Sequence, residues 1–155
     1  MAKNYTNKQM GDACEMLIAA ELTLAGVPAL KVPDLWPAYD VIAQPRDDRP
    51  TQRVSVKSRT FKRGPAYVDY DLSDEFDWLA IVLLPNVAQN ARRIFIIPRD
   101  VADANARHDK PTAKTATDRY WRIDEVAKLF ANFEGNFSLQ HSPSPTASQP
   151  SPSIK

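Results

Sequence analysis

The sequence predicts an α/β domain with a mixed central sheet flanked by helices. Three observations carry this. A helical apolar stripe opens the chain, short alternating segments follow it, and two nearly continuous apolar runs lie beyond the midpoint.

The first helix is predicted over about residues 7–25. Thr6 and Gln9 have the spacing of a capping box, and Met10, Ala13, Cys14, Leu17, Ile18, Leu24 and Ala25 recur with helical period. Gly26 suits a left-handed cap and Pro28 stops continuation. Extended segments are then predicted at 29–32 (ALKV), 39–44 (YDVIAQ) and 51–59 (TQRVSVKSR), the last with Val54 and Val56 alternating against polar neighbours. An irregular stretch follows. WLAIVLLP, 78–85, reads as a strand buried on both faces, with RRIFIIP, 92–98, as its partner. Helices at 99–106 and in IDEVAKLFANFEGN, with Asp124 as the cap of the second, complete the order. Trp36, Trp78 and Trp121 are assigned to the core.

Length and composition fit one domain over residues 1–140. Residues 141–155, HSPSPTASQPSPSIK, are too poor in apolar side chains to offset the entropy of ordering and read as a disordered Ser/Pro-rich tail. A net charge of +1 argues for neither a nucleic acid nor a membrane partner on bulk grounds, so any basic surface is local. No apolar run reaches the roughly 20 residues of a spanning helix, and the polar N-terminus lacks a secretory pattern, which predicts a cytoplasmic protein with no membrane association. Cys14 is the one cysteine and falls on the apolar stripe, where it reads as a buried hydrophobe; with isolated His108 and His141 it forms no disulfide or His/Cys metal motif.

Several polar residues fit less well with simple solvation. Asp40 heads a strongly apolar strand although Asp is disfavoured in strands. Ser55 and Lys57 share one face of the next strand, because side chains alternate with period two. If the two strands are adjacent, Asp40 and the 55/57 pair meet at one concave edge, and Glu15 lies midway along the first helix. Mg²⁺ prefers oxygen ligands and takes one or two carboxylates, and a lysine beside it can orient water or stabilise an oxyanion. Six basic residues (Arg49, Arg53, Lys57, Arg59, Lys62, Arg63) occupy 49–68 without an acid. Such a run can supply phosphate contacts, and Phe61, Tyr67 and Tyr70 lie nearby. The plain alternative for each of these residues is a solvated surface.

GDACE (Gly11 to Glu15), YD (Tyr39, Asp40) and VSVKSR (Val54 to Arg59) together resemble the PD-(D/E)XK nuclease superfamily, closest to its Holliday junction resolvase-like and small bacterial endonuclease-like branches. The resemblance spans about residues 9–135 and implies a restriction endonuclease-like αβββαβ core. It implies a Mg²⁺- or Mn²⁺-dependent endonuclease hydrolysing DNA phosphodiesters, with Asp40 the principal metal ligand, Glu15 a supporting carboxylate and Lys57 the catalytic lysine. The backbone carbonyl of Val56 would complete the metal shell. Arg53, Arg59, Lys62 and Arg63 become nucleic-acid contacts, and a homodimer is suggested. Two positions depart from the pattern. Tyr39 replaces a proline that is not a ligand, while Ser55 stands where the family carries an acidic residue or glutamine. Loss of that carboxylate leaves three outcomes: Glu15 supplies the missing charge, Asp12 does so from three residues earlier on the helix with a different rotamer, or the fold survives as a catalytically inactive module that binds nucleic acid or regulates; a protein-interaction scaffold is the reading in which the resemblance is fortuitous.

Overall fold

The computed structural model describes residues 4–86 and 91–143. Helix α1, Asn7–Leu24, begins at Thr6, whose hydroxyl accepts from the Gln9 amide at 3.1 Å while the Gln9 side chain accepts from the Thr6 amide at 2.9 Å. It is followed by β1 (Ala29–Lys31), β2 (Val41–Ala43) and β3 (Gln52–Thr60). Next come β4 (Tyr67–Asp71), β5 (Trp78–Leu84), β6 (Arg93–Pro98) and α2 (Arg99–Asn105). β7 (Asp118–Arg122), α3 (Ile123–Leu129) and a 3-10 turn (Ala131–Phe133) end the element order.

The main sheet has five strands in the order β1-β2-β3-β5-β6. β1, β2 and β3 form an antiparallel meander, β3 runs parallel to β5, and β6 is antiparallel to β5. This is the mixed α/β sheet that the sequence predicts, and β5 is buried along nearly its whole length, as its apolar run requires.

Alternation along β3 divides the interior in two. Val54 and Val56 face α1 and join Cys14, Ile18, Leu22, Val41 and Val82 in one core. Leu79, Ile81, Leu83, Phe95 and Ile97 face the other way, into a second core with Val68, Tyr70, Trp121, Val126 and Phe130. Ring contacts order this second core: Trp121 lies 5.7 Å from Tyr70 and 5.2 Å from Phe130.

Three details differ from the sequence reading. The crossover from β3 to its parallel neighbour β5 carries no helix; β4 lies there and pairs with β7 in a separate two-stranded sheet over the second core. Val68 and Tyr70 alternate inward along β4, but Gly64, Pro65 and the acids Asp69 and Asp71 break up the pattern in sequence. Asp124 is not the N-cap of α3. It sits inside the first turn, accepting from the Gly64 amide at 3.1 Å, and Arg122 holds the cap position. Trp36 is not core: Trp78 and Trp121 are 4% and 0% exposed, whereas Trp36 is 47% exposed on the β1–β2 loop, where no element packs over it.

Leu139 is fully buried, and Arg49 donates to its carbonyl, so the packed region continues past the last helical turn. Of the predicted tail, residues 144–155 lie outside the described residues. Among the described residues, no helix is long and apolar enough to cross a membrane.

Candidate active site

Asp40 is the residue just before β2. Its amide donates to the Val54 carbonyl at 2.9 Å although Val41 is the residue in register with Val54, so Asp40 and Val41 share one partner on β3 in the manner of a β-bulge. There the main chain of β2 leaves the sheet, since Ala38 holds a positive φ of 74°. The next amide of β3 on that side, Val56 N–H, would be without a ladder partner. Asp40 supplies one: its Oδ2 accepts from Val56 N at 2.7 Å. An aspartate at a strand head, awkward on propensity, thus completes the ladder with its side chain.

In a strand the amide and carbonyl of one residue point to the same side. The Val56 carbonyl therefore faces the edge occupied by Asp40, past the end of β2. A second oxygen of Asp40 is left for another partner.

Glu15 reaches the same place from α1. Glu15 and Asp40 both line a cavity of about 340 Å³, together with Asn7, Lys8, Asp12 and the loop residues 32–36. Glu15 pairs with Lys31 at 3.3 Å, and both side chains are largely covered. Burial nonetheless holds the Glu15 carboxyl above its ordinary range, and the neighbouring Asp40 charge pushes the same way, outweighing the Lys31 bond. Asp40 is also raised, chiefly by burial, against the opposing pull of the Val56 amide and of the Lys57 and Lys31 ammonium groups. Two half-buried carboxylates that repel each other beside a lysine are an arrangement that a divalent cation would relieve.

Lys57 extends from the same side of β3 as Ser55, near enough for its charge to act on Asp40. Among the described residues it has neither a hydrogen-bonding nor an ion-pair partner, so its ammonium is not consumed by the fold. Ser55 is 3% exposed and brings a hydroxyl, not a charge, to β3 between Val54 and Val56, the two residues that Asp40 bonds. Among the described residues, no three His, Cys, Asp or Glu side chains gather into a metal-sized group. The donor set is two carboxylates with a strand carbonyl. That chemistry fits Mg²⁺ or Mn²⁺, which take one or two carboxylates and fill the remaining positions with water and phosphate oxygens.

The predicted nucleic-acid contacts divide into two pairs. Arg53 is engaged by Asp77, with Nε–Oδ2 at 3.2 Å, and Arg59 by Asp69 at 3.0 Å and the Tyr67 carbonyl. The basic run is free of acid in sequence but not in space, because β4 and the turn before β5 bring acids back to it. Lys62 and Arg63 remain exposed, Arg63 with its guanidinium 5.4 Å from the centre of the Phe61 ring. Cys14 is buried and its thiol is pushed up by burial, which suits packing rather than nucleophilic work.

Sequence reasoning missed Lys31, the counter-ion of Glu15, and Asp34, which accepts from Lys31 at 3.0 Å and from Lys8 at 3.1 Å. Their i,i+3 spacing on a strand and loop carries no recognisable signal.

No protein-family model and no curated protein matches the chain. Among solved structures, the bacterial homing endonuclease I-Ssp6803I aligns with a TM-score of 0.49 at 18% identity, covering 70% of this chain and 81% of that one. Hjc, a Holliday junction resolvase from Archaeoglobus fulgidus, aligns with a TM-score of 0.41 at 16% identity, covering 71% of this chain and 96% of that one.

Proposed function

We propose that this chain is a metal-dependent nuclease-fold protein that hydrolyses DNA phosphodiesters, with one domain over residues 1–140. The observation that supports this best is the meeting of Asp40 and Glu15 on one cavity, both carboxyls raised, with Lys57 beside Asp40 and unpaired among the described residues. Asp40, Glu15 and the Val56 carbonyl would hold Mg²⁺ or Mn²⁺. When bound, such an ion supplies Lewis-acid polarisation of the scissile phosphate. Lys57 would orient the attacking water and offset charge developing on the phosphoryl oxygens. The bond from Val56 N to Asp40 fixes one oxygen of that carboxylate, so its free oxygen would be already oriented toward a metal. Exposed Lys62 and Arg63 would contact phosphates further along the strand.

A second reading has its own support in Ser55, which leaves β3 without a carboxylate between the two residues that Asp40 bonds. On that reading the fold binds nucleic acid without cutting it.

One assay separates the two: nicking of branched, single-stranded and duplex DNA with Mn²⁺ by wild type, Asp40→Ala, Lys57→Ala and Ser55→Glu. The hydrolytic reading expects cleavage by wild type that falls at least a hundredfold in Asp40→Ala and Lys57→Ala. Cleavage seen in Ser55→Glu alone would assign the chain to the second reading.

A further inference from the structure

Between β1 and β2 the chain runs VPDLWPAYD, Val32 to Asp40, and turns two apolar side chains outward. Leu35 is fully exposed and has a φ of 67°, a region that bulky side chains seldom occupy. Backbone of this kind persists only where the surroundings over-determine it, and such positions cluster at functional sites. The surroundings here are specific. Asp34 is held from α1 by Lys8 and from β1 by Lys31, at 3.1 and 3.0 Å. Pro33 and Pro37 restrict the backbone on either side, and the Trp36 amide donates to the Pro33 carbonyl at 3.2 Å. The Trp36 indole meets the Tyr39 ring edge-on, with centroids 6.3 Å apart. A stiff loop thus presents an aromatic and an aliphatic side chain that the interior does not use.

Leu35 and Trp36 border the same cavity as Glu15 and Asp40. A strand whose phosphate enters that cavity must carry a base past this rim. We propose that the Leu35–Trp36 tip is a stacking platform for an unpaired base of the substrate strand, next to the phosphate that a metal at Asp40 and Glu15 would engage. The proposal rests on the nuclease reading and narrows its substrate to nucleic acid with unpaired nucleotides. A base within a duplex has both faces covered by its neighbours, whereas an unpaired base has a face free for the indole. Stacking on a ring that is already fixed costs little conformational freedom, and it tolerates any base because each has a π-face. Adjacency to the carboxylates favours this occupant over an apolar protein surface, which would have no use for them.

The test uses full-length Lys57→Ala with Mg²⁺, which keeps both carboxylates and removes the residue assigned to orient the water, so that substrate is held uncleaved. A short single-stranded oligothymidylate and the blunt duplex of equal length are titrated in turn, with tryptophan emission and oligonucleotide anisotropy followed together. Trp78 and Trp121 are buried, so quenching of solvent-exposed emission reports Trp36. Expected are quenching by the single strand and binding several-fold tighter than to the duplex. Adding Trp36→Ala should remove the quenching and weaken single-strand binding about tenfold, while Trp36→Phe restores most of the affinity. Leu35→Ala, also exposed, is the second variant and should weaken the same binding with an unchanged thermal melt. Equal affinity for both DNAs, or binding indifferent to Trp36 and Leu35, overturns the proposal. If Asp40→Ala abolishes cleavage while Trp36→Ala binds normally, the platform alone fails. If wild type never cleaves yet single strands bind through Trp36, the hydrolytic reading fails and the platform stands. Self-association that Trp36→Ala abolishes, without any quenching by DNA, would replace the base with a second copy of the chain and overturn the proposal.

Discussion

Asp40 serves the fold with one oxygen and, on the proposed function, the metal with the other, and substitutions can separate the two roles. One oxygen accepts from Val56 N. Burial raises its carboxyl, and that of Glu15, above the ordinary range. A carboxyl raised in the folded state contributes stability that is fully present below its unfolded value and is lost as pH rises through the folded value. At neutral pH the ionised pair is therefore a liability of the metal-free protein. Asp40→Asn keeps an acceptor for Val56 N and removes the charge, so its urea midpoint at pH 7 should equal or exceed that of wild type. Asp40→Ala leaves the amide unsatisfied and should cost about 1–3 kcal/mol. An Asn variant less stable than the Ala variant would refute this division. On the proposed function Mn²⁺ would need both carboxylates ionised, so calorimetric titrations should show its affinity weakening on acidification through a window above the ordinary carboxylate range. Asp40 was legible in the sequence because an acid at the head of VIA breaks a propensity rule. Lys31 was not, since nothing in ALKV marks which lysine will reach back to a helix carboxylate.

The elements legible in the sequence were those with one strong period: α1 with its capping box, and β5 and β6 as apolar runs. β4 and β7 went unread because each is five residues long, alternates over acids or arginines, and has meaning only once paired with the other. Their worth lies in the second core. Trp121 is fully buried, and its indole N–H donates to the Asn105 carbonyl at 2.9 Å, tying β7 to the end of α2. Trp121→Ala should cost about 3–5 kcal/mol, seen as a lower urea midpoint. Trp121→Phe should cost less, since it forfeits mainly the hydrogen bond and part of the ring. If both variants kept the wild-type midpoint, the β4–β7 pair would be an appendage and not a wall of the core.

Across the whole molecule, charge is decided by what meets in space. The run from Arg49 to Arg63 reads as a positive patch, yet Arg49, Arg53 and Arg59 are paired with Asp47, Asp77 and Asp69. A sequence shows the cations along a strand; it does not show which acids a crossover will lay beside them. Lys62 and Arg63, exposed at the start of that crossover, are, besides Lys57, the cations of the run left for phosphate. Neutralising both should lower the log–log salt slope of DNA binding by about 2, and neutralising Arg53 should change it little while lowering stability. Equal effects of the two changes would show that Asp77 does not withhold Arg53 from the substrate.

Because β3 packs against α1 with Val54 and Val56 and carries Ser55 and Lys57, the residues of the proposed site, on its other side, it behaves like a text read in two interleaved frames. Point substitutions edit one frame at a time, and the other survives. Deleting a single residue from the middle of β3 would transpose the frames beyond it, sending an ammonium group into the α1 core and an aliphatic side chain to the carboxylates. Drift at this strand is therefore confined to exchange within a frame. An exchange at Ser55, in the frame it shares with Lys57, would keep Val54 and Val56 on α1 and change the chemistry of the opposite side.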